Sequence, residues 1–230
     1  MKNVISVRKL TKKYKTFTLD SIDLDIPRGF STALIGANGA GKTTLINILT
    51  GALSADRGSI TINGEDIRGN DRIRQHILSI ADDWYFYPSY TIAQTARFYK
   101  SMYKSFDQER YDSLTAMFKL DPKRQIRRLS KGVKKQVAFV MCLSCNPELM
   151  ILDEPFSGFD PVNADVIRKE ILRLKDEGAT IILSTHNMES VEELCDNIAL
   201  FNKSHVVLSG NVADIRRQYG NNDVEIVYTD

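Results

Sequence analysis

The sequence predicts an α/β fold in which a parallel-sheet core carries an antiparallel β subdomain and an inserted, mainly helical lobe. Three observations support this. An apolar strand at residues 30–35 runs through a glycine-rich turn into a segment with apolar residues at helical spacing. Short apolar strands alternate with helices again after residue 146. Between these parts, residues 83–145 lose the strand pattern and become helical.

The glycine-rich turn has the spacing of a phosphate-binding loop, G-x-x-x-x-G-K-[ST], at Gly36, Gly41, Lys42 and Thr43. A strand, a turn and a helix start direct several backbone N–H groups and the positive end of the helix dipole at one point. We expect Lys42 to reach the β- and γ-phosphates and Thr43 to ligate Mg²⁺. Side chains at Gly39 or Gly41 would crowd the phosphates. The predicted nucleotide-binding residues of this loop are Gly36, Asn38, Gly39, Ala40, Gly41, Lys42, Thr43 and Thr44.

The other predicted elements surround this loop. In the first part of the chain we predict strands at 5–10, 24–26, 59–62 and 77–81, and a basic turn at 11–16 that carries Tyr14. After the lobe we predict strands at 149–152, 180–184, 198–201 and 206–209. Helices are predicted from Asp160, at 189–195 and at 212–219, with an edge strand at 224–228. The whole chain is one domain in this interpretation: residues 1–82 and 146–230 form the core, and 83–145 the lobe.

Composition limits the possible classes of protein. The chain has 230 residues and a net charge of +2, so no strong overall charge points to nucleic acid. Its three cysteines, Cys142, Cys145 and Cys195, suit buried thiols in a reducing compartment better than a disulfide framework or a zinc site. We find no signal peptide and no apolar run of the roughly 20 residues that a membrane span needs. We therefore expect a soluble protein whose membrane role, if any, requires a separate chain.

Two further strand ends carry candidate catalytic groups. Asp153 and Glu154 follow an apolar strand, and the carboxyl ends of parallel strands share one edge of a sheet. Asp153 is predicted to hold Mg²⁺ and Glu154 to polarise the attacking water. His186 follows the strand at 180–184 and would reach the γ-phosphate from the same edge. A merely polar strand end is the alternative for each of these residues.

The lobe contributes two features. Trp84, Tyr85, Phe86, Tyr87 and Tyr90 crowd around Pro88, either as the core of a lobe junction or as an interface. Helical faces are predicted at Ile92, Ala96, Tyr99, Met102 and Tyr103, and at Tyr111, Leu114, Met117 and Phe118. Ser130 caps a following helix, so its hydroxyl and the first N–H groups form a second anion site; a plain helix cap is the alternative.

Taken together, these motifs resemble the nucleotide-binding subunits of ABC transporters over essentially the whole chain. The order is phosphate loop, aromatic-rich loop, helical lobe, Leu-Ser-x-Gly, Asp-Glu-Pro, Ser-Gly-Phe-Asp and His. The resemblance implies a P-loop NTPase core of ABC ATPase type and two subunits facing head to tail. ATP would lie between one subunit's phosphate loop and the other's Ser130 and Gly132. Asp160 would join the two sites, and Tyr14 would stack on adenine; a surface tyrosine is the alternative for Tyr14.

Three positions depart from the family pattern. Lys131 and Val133 replace a glycine and the glutamine of Leu-Ser-Gly-Gly-Gln, and Asp82 stands where the family has a glutamine that touches Mg²⁺. Asp82 keeps an oxygen ligand but is shorter and charged. The segment 123–135, which contains Lys131 and Val133, holds seven Lys or Arg and no acid. This charge fits a solvated face or electrostatic support for triphosphate. Turnover rate and the symmetry of the two sites depend on these changes.

The sequence therefore predicts an ATP-hydrolysing subunit bound to transmembrane permease subunits at the cytoplasmic face of the cell membrane, working as a homo- or heterodimer. The short chain resembles the subunits of exporters more than those of sugar importers. One alternative is a soluble ABC ATPase acting on ribosomes or DNA, which usually has two cassettes or a long coiled coil. A module that binds ATP without turnover is the other, and Glu154 argues against it.

Overall fold

A computed structural model describes residues 2–74, 76–81 and 86–219. Its strands are β1 (Asn3–Lys13), β2 (Thr18–Pro27), β3 (Ser31–Gly36), β4 (Arg57–Ile62), β5 (Glu65–Asp66), β6 (Ile77–Ile80), β7 (Leu149–Asp153), β8 (Thr180–Thr185), β9 (Asn197–Asn202) and β10 (His205–Asn211). Its α-helices are α1 (Lys42–Leu49), α2 (Asp71–Arg74), α3 (Ile92–Met102), α4 (Gln108–Met117), α5 (Lys131–Ser144), α6 (Pro161–Asp176), α7 (Met188–Leu194) and α8 (Val212–Tyr219). The predicted strand at 224–228 lies outside the described residues.

The predicted antiparallel β subdomain is confirmed as a four-stranded sheet in the order β2-β1-β4-β5. Asn63 and Gly64 join β4 to β5 with φ angles of 56° and 86°, as a tight hairpin turn requires. The predicted basic turn at 11–16 is too long, because β1 continues to Lys13 and pairs with β2 up to Thr18. Asp56 offsets the basic charge there, accepting hydrogen bonds from the Lys12 ammonium at 2.9 Å and the Lys13 N–H at 2.7 Å.

The second sheet has six strands in the order β10-β9-β3-β8-β7-β6, parallel from β9 to β6. Strands β3, β7 and β8 are buried along their length apart from the last residue of β3, as their continuous apolar runs predict. Asp153 pairs in register with Ser184, and Ile35 with Thr185. The ends of β3, β7 and β8 therefore lie at one edge of the sheet.

Helices α3, α4 and α5 lie between β6 and β7 in the chain. Thr91 and Gln94 form a reciprocal capping box at the start of α3, and Ser130 caps α5 by accepting the Val133 N–H at 3.3 Å. One hydrophobic core joins these helices to the sheet through the buried face of α5. The lobe thus shares its core with the sheet.

Two methionines differ from the predicted helical faces. Met102 and Met117 end α3 and α4 and are 56% and 49% exposed. Each follows the helical period of its buried neighbours but lies beyond the turns that the core covers. No helix within the described parts of the chain combines the length and apolarity needed to cross a membrane.

Candidate active site

The phosphate loop runs from the end of β3 to the start of α1 and depends on glycine at two points. A Cβ at Gly36, where φ is 155°, would lie 2.5 Å from the carbonyl oxygen of Phe201 on the neighbouring strand. A Cβ at Gly41, where φ is 106°, would lie 2.7 Å from Cδ1 of buried Leu19. The backbone of Phe201 therefore excludes a larger residue at Gly36, and a larger residue at Gly41 would force buried Leu19 to shift. At Gly39, with φ of 79°, the backbone is again left-handed, and a Cβ would meet no described atom within 4 Å.

Lys42 closes the loop on itself. Its ammonium donates to the carbonyl oxygens of Gly36 at 2.7 Å and Ala37 at 3.2 Å, and the residue is buried. The ammonium thus lies against the first residues of the loop, with its charge satisfied by backbone oxygens.

A cavity of about 470 Å³ opens over this loop, within the size range of small-molecule sites. Its lining residues come from the loop, α1, the end of β7 and the segment after β1: Phe17, Asn38, Gly39, Gly41, Lys42, Thr43, Thr44, Asp153 and Glu154. The structure therefore brings together the predicted phosphate-binding residues and the two carboxylates. Gly36 and Ala40 are not among the described residues that line the cavity, and Ala40 is buried.

Asp153 lies at the base of the cavity and accepts two hydroxyl hydrogen bonds. Thr43 donates to Oδ2 at 2.8 Å, and Ser184, which is fully buried, donates to Oδ1. A hydroxyl and a carboxylate oxygen side by side match the all-oxygen ligand set that Mg²⁺ prefers. Thr43 and Asp153 therefore fit the predicted metal site. Asp82, the third predicted ligand, lies outside the described residues.

Glu154 and His186 form a pair above the same edge. Nδ1 of His186 lies 3.0 Å from Oε1 of Glu154, and the histidine side chain is 72% exposed while that of Glu154 is 27% exposed. The histidine thus holds the carboxylate from the solvent side. Glu154 has a φ of 44°, a left-handed conformation that is uncommon outside glycine.

Tyr14, the predicted adenine-stacking residue, is not among the described residues that line the cavity. It is 44% exposed, and its ring lies 5.9 Å from that of Phe17. Phe17 is the aromatic residue that lines the cavity, and sequence reasoning missed it. Its signal was present in the sequence: an aromatic residue three positions after Tyr14 in the same turn.

Ser130, Gly132 and Asp160 are not among the described residues that line the cavity. They belong to adjacent segments, since a Cβ at Gly132 would lie 3.7 Å from the carbonyl oxygen of Gly158. Asp160 caps α6 by accepting the Asn163 N–H at 3.1 Å. Hydrogen bonds from the backbone and side chain of Asn163 hold the pKa of the Asp160 carboxyl below its usual value.

The aromatic segment around Pro88 divides between core and surface. Phe86 packs partly buried against the hydrophobic core, whereas Tyr87 is 56% exposed. The ring centre of Tyr87 lies 4.9 Å from that of Tyr90 and 5.7 Å from that of Phe98 on α3, in a T-shaped arrangement with Phe98. These rings line a small cavity with neighbouring residues of α3, which we call the aromatic groove: Phe86, Tyr87, Tyr90, Thr95, Phe98, Tyr99, Met102 and Tyr103. Trp84 and Tyr85 lie outside the described residues.

Comparison with known proteins agrees with this architecture. Residues 19–157 match the family model described as ABC transporter. The uncharacterized ABC transporter ATP-binding protein YhaQ of Bacillus subtilis is 33% identical over 97% of this chain and 76% of its own length. The probable multidrug ABC transporter ATP-binding protein YbhF of Escherichia coli is 29% identical over 96% of this chain, which spans only 39% of that protein.

A solved structure of an ATP-binding subunit of an ABC transporter superposes with a TM-score of 0.86 at 30% identity, covering 94% of this chain and 93% of the other. The fold class predicted from the sequence is confirmed by this likeness. With the family model matching more than half of the residues, the chain belongs to the ABC transporter family, as an ATP-binding ATPase component.

Proposed function

We propose that this protein hydrolyses ATP to power transport through separate membrane subunits, by closing and reopening a dimer of ATPase subunits. The observation that carries the proposal is the meeting of the phosphate loop with the Glu154–His186 pair at one sheet edge. A module that only holds nucleotide needs no carboxylate paired in this way. Hydrolysis does, because water must be polarised beside the γ-phosphate.

The ATP phosphates would lie on the backbone N–H groups of residues 38–44. Lys42 would exchange its bonds to the Gly36 and Ala37 carbonyls for the β- and γ-phosphates, a short move for a long side chain. Thr43 and Asp153 would hold Mg²⁺, which neutralises developing phosphate charge when it is bound. Tyr14 would reach adenine together with Phe17, since the two rings are in contact and Phe17 lines the cavity.

Glu154 is the proposed general base. Its carboxylate would accept a proton from the attacking water, and His186 would orient that carboxylate through the 3.0 Å contact. His186 is also exposed on the side where a γ-phosphate would project, so it can contact that group. The two residues therefore have distinct roles.

A head-to-tail dimer would give Ser130, Gly132 and Asp160 their role. They are not among the described residues that line the phosphate loop cavity of their own subunit, and Ser130 caps a helix whose N-terminus favours an anion. The partner's ATP would supply that anion. Closure would then need ATP, and opening would need its hydrolysis.

The aromatic groove is the proposed docking site for a permease subunit. Phe98 is 37% exposed and Met102 is 56% exposed, in addition to the exposed Tyr87. Such apolar side chains are enriched at protein interfaces. The groove could accept an amphipathic helix. This docking would hold the protein at the cytoplasmic face of a membrane. Export is favoured over import, in line with the multidrug relative.

Phosphate release by the purified protein tests the proposal. Glu154→Gln should retain ATP binding, lose roughly 10²–10⁴-fold in turnover, and remain dimeric in ATP on size-exclusion chromatography. Lys42→Ala is the contrasting variant, because it removes a phosphate contact and should weaken ATP binding itself. Wild-type turnover in Glu154→Gln would refute the role assigned to Glu154.

A further inference from the structure

The backbone of Glu154 is held on both sides by side chains from distant parts of the chain. Its N–H donates to Oγ of Ser184 at 3.0 Å, and its carbonyl oxygen accepts from Nζ of Lys135 at 2.9 Å. Left-handed backbone at a residue with a side chain persists only where the surroundings fix it. With φ at 44°, the direction in which the Glu154 side chain leaves the backbone therefore depends on these two bonds.

Lys135 comes from α5, the helix that begins after Ser130. The residue is only 3% exposed, on the same helical face as the buried residues Phe139 and Cys142. Its ammonium also donates to the Ser157 carbonyl at 2.8 Å and lies 5.4 Å from the centre of the Phe159 ring. Burying an ammonium costs free energy that a methionine or leucine there would avoid. The lysine is therefore poorly explained by packing alone.

These contacts join two functional segments of one subunit. Lys135 lies on the second turn of α5, and its acceptors lie in the segment from Glu154 to Ser157 that follows β7. A helix moves as a unit over so short a distance. A displacement of its first turn would therefore reach the backbone of Glu154 through Lys135.

We propose that Lys135 is a positioning residue that fixes the backbone of Glu154 and ties water activation to the position of the helix that begins after Ser130. The proposal rests on the proposed function, in which Ser130 contacts the ATP bound by the partner subunit and Glu154 acts on the ATP bound by its own subunit. Nucleotide bound across the dimer then sets the geometry of the base at the other site. Lys135 acts through Glu154 and touches neither nucleotide.

Lys135→Met removes the donors and the charge while keeping a long apolar side chain. We expect kcat to fall about 10- to 100-fold, as a displaced base does, with KM and the Kd of a fluorescent ATP analogue changing less than about threefold. Gln136→Met places the same side chain one position along the helix and should stay within about twofold of wild type. Lys135→Arg keeps the charge and donors and should recover part of the lost kcat.

A double-mutant cycle separates positioning from general damage to the fold. In the Glu154→Gln background, Lys135→Met should leave the residual single-turnover rate unchanged, because the residue through which it acts is already disabled. Should Lys135→Met fail to fold, Lys135→Gln carries the same cycle, since its shorter side chain keeps one donor group.

Unchanged kcat in Lys135→Met, or an equal further loss in the Glu154→Gln background, would overturn the proposal. Failure of the proposed function is a distinct result, because it is the absence of phosphate release by the wild-type protein. The Lys135 comparison is made only against a measured wild-type rate.

Discussion

Ser184→Ala removes one buried hydroxyl that serves both carboxylate residues of the site. Its oxygen accepts the Glu154 N–H at 3.0 Å, and its O–H donates a hydrogen bond to Oδ1 of Asp153. The N–H of half-buried Glu154 loses its partner, at up to about 1–3 kcal/mol, and buried Asp153 loses a charge-assisted bond. We therefore expect a loss of roughly 2–4 kcal/mol in unfolding free energy, or about 4–16 °C in Tm for a chain of this size.

Below its melting temperature the variant is still folded, so the loss of stability alone should lower its activity little. We expect a larger loss of activity than that. With both carboxylates less firmly held, we expect kcat to drop about 10- to 100-fold at 25 °C. The assays are thermal unfolding and phosphate release on the same preparation. Ile182→Val is the matched control, because it removes one methylene-sized group from the same strand, costs about 1 kcal/mol and leaves the hydroxyl in place.

The reasoning is refuted if Ser184→Ala loses no more stability than Ile182→Val and keeps wild-type kcat. A loss of stability with unchanged kcat would refute part of the reasoning. The hydroxyl would then stabilise the fold without positioning the two carboxylates for catalysis.

Three further predictions concern the interfaces and the thiols. Lys131→Gly should weaken ATP-driven dimerisation, most at low salt where screening is least, and unchanged or tighter dimers would reduce Lys131 to a surface substitution. Tyr87→Ala should leave folding and ATP binding intact but abolish pull-down of a membrane partner from solubilised membranes; intact pull-down would remove Tyr87 from the interface. Burial raises the pKa of Cys145 and of Cys195 to about 12, and that of Cys142 higher still. Folded protein at pH 8 should therefore resist thiol reagents until urea unfolds it. Because these pKa values exceed the unfolded value of 9.0, the stability that the thiols contribute is intact below pH 9 and lost as pH rises toward 12, so the urea midpoint should fall over that range.

Local pattern was enough to predict much of this site. The phosphate loop is read from consecutive residues, and the strand ends that carry Asp153 and Glu154 follow apolar runs whose period is a local property. Parallel pairing then places such ends at one sheet edge whatever the loops do. These features needed no knowledge of distant contacts.

Contacts between distant segments were beyond the same reasoning. The strand β1 runs on to Lys13, and Phe17 in the following turn lines the cavity beside the ring of Tyr14. Ser184 and Lys135 act through the Glu154 backbone across 30 and 19 positions of sequence. One feature of the sequence could have indicated that Lys135 is buried. It lies on the same face of α5 as the buried residues Phe139 and Cys142.

The insertion of the helical lobe between β6 and β7 has a consequence for how the molecule opens. These strands are parallel neighbours, so the lobe is the crossover connection between the end of β6 and the start of β7. Among the described strands, β6 is the edge strand on that side of the sheet. Leu78 and Ile80 of β6 share one hydrophobic core with Ile92 and Val137 of the lobe. Loosening the lobe therefore uncovers β6 before the central strands. The lobe and β6 should then exchange their amide hydrogens as one cooperative unit. The strand β3 and its phosphate loop would remain protected at the centre of the sheet.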